Sequence, residues 1–87
     1  MNNNIDNLKK RLIYRSQYRG TKEMDKLIGS FVKSNIHDFN LHELRNLEKF
    51  LDIDDDTLYK FYNNQLTQIK VNCHEILKLF KEFKYNK

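Results

Sequence analysis

The chain has 87 residues, room for one domain, and two glycines (Gly20, Gly29) with no proline cannot supply the regular turns of a short-stranded sandwich or barrel. Its aromatic content of 13% is too high for a disordered chain, and a single cysteine, Cys73, makes no internal disulfide. The net charge of +4 divides into +5 over residues 1–33, −4 over 34–64 and +3 over 65–87, weaker than the continuous basic stripe of a nucleic-acid-binding face, so a small basic nucleic-acid-binding or adaptor protein stands only as the alternative reading.

Periodicity then predicts five helices in an all-α, single-domain bundle spanning 1–87, with residues 1–4 as a disordered lead. The first helix runs from Ile5 to Arg19. Its apolar stripe is Ile5, Leu8, Leu12 and Ser16, widened by Ile13, and Gly20 is placed to cap it. The second carries Met24, Leu27, Ile28, Phe31 and Val32 at i, i+3, i+4, i+7 and i+8, a full apolar face. Thr21 suits its N-cap, and Glu23 and Asp25 suit the positive end of its dipole. Gly29 falls inside this helix, where it permits a close approach.

The third helix starts at Asn40, with Glu43 completing a capping box and Phe39 and Leu44 placed as a hydrophobic staple. Leu41, Leu44, Leu47, Phe50 and Leu51 are expected on its buried side. The fourth runs from Asp55 to Asn63 with Leu58, Tyr59, Phe61 and Tyr62. The fifth is expected from Leu66 to Lys84, on a stripe of Leu66, Ile69, Cys73, Ile76, Leu77, Phe80 and Phe83.

Motifs for catalysis and metal binding are missing from the sequence. Asp52, Asp54 and Asp56 alternate like the start of a calcium loop, but Thr57 and Asn63 occupy the positions that need Gly and Glu. Capping of the fourth helix accounts for these aspartates. Cys73 and His74, and His37 and His42, lack metal-ligand spacing, and Cys73 lies on an apolar stripe. No serine sits in a nucleophile elbow, and no glycine-rich phosphate cradle exists. The opening Met-Asn-Asn-Asn-Ile-Asp has no apolar core, and no stretch approaches the roughly 20 apolar residues of a membrane span. With a lone free thiol, these features suggest a cytoplasmic protein that engages neither membrane nor nucleic acid.

Local physics explains Arg19-Gly20-Thr21-Lys22-Glu23 as a helix–turn–helix corner. Residues 11–25, Arg11-Leu12-Ile13-Tyr14-Arg15-Ser16-Gln17-Tyr18-Arg19-Gly20-Thr21-Lys22-Glu23-Met24-Asp25, add something more specific. This run resembles the signature of the succinate dehydrogenase assembly factors. Their RGxxE hallmark is matched by Arg19, Gly20 and Glu23, with the acidic residue that commonly follows at Asp25. The similarity continues through Leu27, Ile28 and Phe31 and resumes at Asp55 to Phe61, where Phe61 replaces the usual Trp.

The resemblance implies a small five-helix binding factor, not an enzyme. Such a factor binds the flavoprotein subunit of succinate dehydrogenase, or of a fumarate reductase, and promotes covalent attachment of FAD. It has no cofactor of its own, because FAD and the histidine that bonds it belong to the flavoprotein. It is expected to be a monomer when free. On this resemblance Arg19 and Glu23 project into the flavoprotein, and Gly20 lets two backbones approach. Asp25, Arg11 and Arg15 make secondary contacts. Tyr14 and Tyr18 serve either as an aromatic rim or in helix packing.

Overall fold

The computed structural model describes residues 3–85, and five α-helices account for most of them: α1 (Asn3–Gln17), α2 (Lys22–Asn35), α3 (Leu41–Leu51), α4 (Asp55–Tyr62) and α5 (His74–Glu82). A 3₁₀ turn, Ile36–Asp38, joins α2 to α3. The all-α bundle expected from periodicity is what forms. Asn3 and Asn4, expected in a disordered lead, belong to α1, while Met1 and Asn2 lie outside the described residues.

The helix signals work as physical caps. Thr21 Oγ1 accepts from the Met24 N–H at 3.2 Å, starting α2. Asn40 and Glu43 form both halves of a capping box at 2.9 and 2.8 Å, and Phe39 and Leu44 beside it are buried. Asp54 caps α4 through Thr57.

The core is built on rings. Phe31, Phe50 and Phe80, from α2, α3 and α5, are each fully buried, with centroids 5.1–5.5 Å apart. Burying one such side chain contributes about 1.5–3 kcal/mol, and edge-on pairing about 0.5–1.5 kcal/mol more. Leu8, Leu12, Ile28, Val32, Leu44, Leu47 and Leu58 fill the space around them. α1 and α2 pack closely at Gly29. A Cβ there would sit 3.2 Å from Gln17 Cγ and 3.7 Å from the Ser16 carbonyl oxygen. Ser16, fully buried, satisfies its hydroxyl on the Ile13 carbonyl at 2.6 Å.

Two further expectations fail in the fold, and both failures have local causes. Leu41 is 46% exposed instead of lining the core, because it stands at the first helical position of α3, ahead of the face that Leu44, Leu47 and Leu51 bury. The fifth helix is half its expected length. α4 ends in a Schellman motif: Asn64 adopts φ 60°, its N–H reaches the Phe61 carbonyl at 3.2 Å, and the Gln65 N–H reaches Lys60 at 2.8 Å. The chain leaves in a direction that cannot continue as a helix, and Leu66 is fully exposed. Residues 67–73 then run without helix. Thr67, Ile69, Val71 and Cys73 are the more buried and Gln68, Lys70 and Asn72 the exposed, an alternation of period two. Helix resumes at His74. α5 is fastened to α4 by Tyr62 Oη, which donates to the Phe83 carbonyl at 2.6 Å, and by Lys81, which donates to the Phe61 carbonyl at 2.8 Å and lies over the Phe61 ring.

No helix among the described residues is long and apolar enough to cross a membrane.

The α1–α2 corner as the candidate functional site

α1 ends at Gln17, two residues short of its expected end, and the reason is Asp25. This carboxylate, in the first turn of α2, reaches back across the corner. Its Oδ1 accepts from the backbone N–H groups of Arg19 at 2.5 Å and Gly20 at 3.3 Å. Gly20 has φ +145°, a conformation that a residue with a Cβ adopts only under strain. It therefore does not cap α1 directly; three residues past the end of α1, it lets the chain turn into α2, which starts at Lys22. A Cβ at Gly20 would meet Asp55 Oδ2 at an ordinary 3.7 Å, so its role here is conformational and not one of space.

Arg19 points inward. Its Nε donates to Asp55 Oδ1 at 2.7 Å, one Nη to the Leu51 carbonyl at 2.6 Å, and the other to the Ile53 carbonyl. Its side chain is only 8% exposed. Leu51 ends α3, Asp55 begins α4, and Ile53 lies between them, so one planar guanidinium ties the corner to the α3–α4 junction. The fork expected to face a partner is occupied here by its own chain. Beside it, Thr57 donates to both Asp54 oxygens, from its hydroxyl at 2.7 Å and its N–H at 3.1 Å. These bonds hold the Asp54 carboxyl below its ordinary pKa, with a smaller contribution from the Arg19 charge.

The exposed part of the site lies along α1. Arg11, Tyr14, Arg15 and Tyr18 recur at i, i+3, i+4 and i+7 and occupy one solvent-facing stripe. Tyr14 and Tyr18 are 62% and 66% exposed with ring centroids 4.4 Å apart. They pair with each other outside the core, so they take no part in helix packing. Arg15 pairs with Asp52 at 2.7 Å on the surface. Tyr14, Arg15 and Tyr18 edge a cleft of about 490 Å³ whose far wall is Leu51 to Asp55.

The predicted site residues thus divide in three. Arg19, Gly20 and Asp25 form a hydrogen-bonded knot. Arg11, Tyr14 and Arg15, with Tyr18, form the exposed stripe. Glu23 is exposed but lies apart from the cleft, beside Leu27, Tyr59, Tyr62, Asn63 and Tyr85. The sequence reading missed Asp52 and Asp55 as partners of the corner. Their signal was present in the charge pattern: the basic first third meets the acidic middle through Arg15–Asp52 and Arg19–Asp55.

No group of three His, Cys, Asp or Glu suited to a metal ion exists among the described residues. Cys73 is buried, and burial pushes its thiol pKa up, so it is poorly disposed to act as a nucleophile.

Fold and corner together define a small helical bundle that displays a basic and aromatic stripe above a motif-built turn. The chain belongs to the family described as flavinator of succinate dehydrogenase, whose family model matches residues 10–84. It is similar to "Succinate dehydrogenase assembly factor 2, mitochondrial" of Dictyostelium discoideum, 33% identical over 75 residues, covering 86% of this chain and 53% of that protein. It is similar to "FAD assembly factor SdhE" of Acetobacter pasteurianus, 41% identical over 56 residues, covering 61% and 51%. A third relative, from Debaryomyces hansenii and also named "Succinate dehydrogenase assembly factor 2, mitochondrial", is 36% identical over 87 residues, covering 95% and 61%. The chain therefore spans half to three fifths of the length of these relatives. No solved structure matches it significantly.

Proposed function

We propose that this protein binds the flavoprotein subunit of succinate dehydrogenase and promotes covalent attachment of FAD to it. The observation that carries the reading is the family match across residues 10–84, which includes the whole RGxxE corner. The geometry supports a binding role. The exposed α1 stripe offers two cations and two adjacent tyrosines, residue types enriched where interfaces draw their energy. The knot beneath holds the stripe and the start of α2 in fixed relation, so a partner meets a rigid surface with little ordering cost.

Covalent flavinylation is a positioning problem, since a histidine of the flavoprotein must be held against the flavin ring. A rigid wedge that binds one arrangement of the flavoprotein better than others shifts it toward that arrangement. In this reading Arg11, Tyr14, Arg15, Tyr18 and Glu23 touch the client, while Arg19, Gly20 and Asp25 shape the surface. The factor is not itself the enzyme, FAD remains the client's, and the free protein is a monomer. A fumarate reductase flavoprotein is a second client on the same terms. Two of the relatives carry "mitochondrial" in their names; fractionation distinguishes that location from the cytoplasmic one we propose.

The test is deletion of the gene, or Gly20→Arg, followed by in-gel fluorescence of the flavoprotein subunit. Covalent flavin falls in both strains if the reading is right. Undiminished fluorescence in both removes it.

A further inference from the structure

A second surface begins where the α1 stripe ends. Between the first half of α1 and the start of α3 lies an open groove of about 650 Å³. Its apolar lining comes from Ile5, Leu8 and Leu41, and its charged lining from Arg11 and Arg45. Two asparagines complete it, and no carboxylate lines it.

Leu41 is the informative residue. It is 46% exposed on a helix whose other leucines, at 44, 47 and 51, are buried, so folding alone leaves it uncovered. Arg11 makes no ion pair among the described residues. Arg45 makes only an exposed one, to Glu48 at 3.2 Å, of the kind that exchanges readily for a better partner. Leu41 also stands in the first turn of α3, the end of a helix that favours negative charge. Glu43, the nearby acid, is committed to the capping box. Aliphatic floor, two arginines and an absence of acid complement one chemistry: an amphipathic protein segment with aliphatic side chains on one face and Asp or Glu beside them.

We propose that this α1–α3 groove is a second docking surface, which takes an acidic amphipathic segment of the client flavoprotein. It shares Arg11 with the α1 stripe, so the two surfaces form one continuous footprint. The proposal rests on the reading that the flavoprotein is the client.

The test uses the full chain and the FAD-loaded flavoprotein subunit. Leu41→Asp/Arg45→Glu leaves the corner and the tyrosines intact, and its melting temperature serves as the fold control. Affinity is measured beside wild type and Tyr14→Ala/Tyr18→Ala. The groove variant is expected to bind at least about tenfold more weakly, the scale of an interface residue that matters. A photo-crosslinker at position 41 is expected to join a client segment rich in Asp or Glu. If the groove variant binds like wild type while the tyrosine variant is weakened, the groove is not a docking surface and only this proposal falls. A crosslink to a basic segment also overturns it. So does a change in the free protein's sedimentation on Leu41→Asp/Arg45→Glu, which makes the groove a contact between copies. Failure of wild type to bind the flavoprotein at all removes both this proposal and the functional reading.

Discussion

Arg19→Ala tests the corner most directly. The substitution removes three hydrogen bonds, to Asp55 and to the Leu51 and Ile53 carbonyls. A hydrogen bond to a charged group contributes about 1.5–3 kcal/mol, but desolvating a guanidinium only 8% exposed offsets much of the total. The expected net loss is ~2–4 kcal/mol, which lowers the melting temperature by roughly 10–25 °C in a domain of this size. Arg19→Lys keeps the charge but not the fork, so it recovers only part of this. Arg15→Ala is the internal control. Its pair with Asp52 is exposed on both sides, so the loss there is about 0–1 kcal/mol and shrinks further in high salt. Thermal and urea unfolding followed by circular dichroism measures all three. If Arg19→Ala melts within about 3 °C of wild type, the inward clamp is not what holds the corner, and Arg19 returns to the pool of direct partner contacts.

The two glycines should respond differently to alanine. Gly20→Ala forces a side chain into φ +145° and should cost about 1–3 kcal/mol although the space is open. Gly29→Ala gains up to ~1 kcal/mol of helix propensity and needs only a small shift of Gln17, so it should stay within about 0.5 kcal/mol of wild type. Equal costs in urea titrations would contradict the distinction. Cys73 should react with a thiol reagent far more slowly in the native protein than in urea, because burial both hides it and raises its pKa; native reaction at the rate of a free thiol would exclude that burial. Asp54 is held below its ordinary pKa, so its contribution to stability is present above about pH 4 and is lost as pH falls through its folded value. Asp54→Asn should therefore flatten the acid limb of a stability–pH profile, and an unchanged limb would exclude it as a contributor.

Most of the fold was legible because helix signals are local. Thr21, Asn40 and Glu43 cap what they were expected to cap, and the α2 face of Met24 to Val32 is buried throughout. The fifth helix shows the limit. Ile69 and Cys73 fit a helical stripe and also fit a chain of alternating burial, and Asn64, which decides between them, acts through a backbone angle that periodicity does not record. The site was legible in part of its membership and not in direction. The motif grouped Arg19, Gly20 and Glu23 with Asp25, and the structure joins Arg19, Gly20 and Asp25 while Glu23 lies apart. That Arg19 turns inward depends on Asp55, 36 residues away, and on two carbonyls that carry no side-chain signature. Leu41 was misplaced because spacing alone does not show where on a helix the packed face begins.

The Arg19–Asp55 contact also bears on what can be cut away. A peptide of residues 11–25 contains every letter of the motif, yet it lacks Leu51, Ile53 and Asp55, the acceptors that hold Arg19 inward. Grafting the motif onto another helical hairpin would reproduce its spelling without its shape. An inhibitor or probe that imitates this corner therefore has to carry the α3–α4 junction along with it.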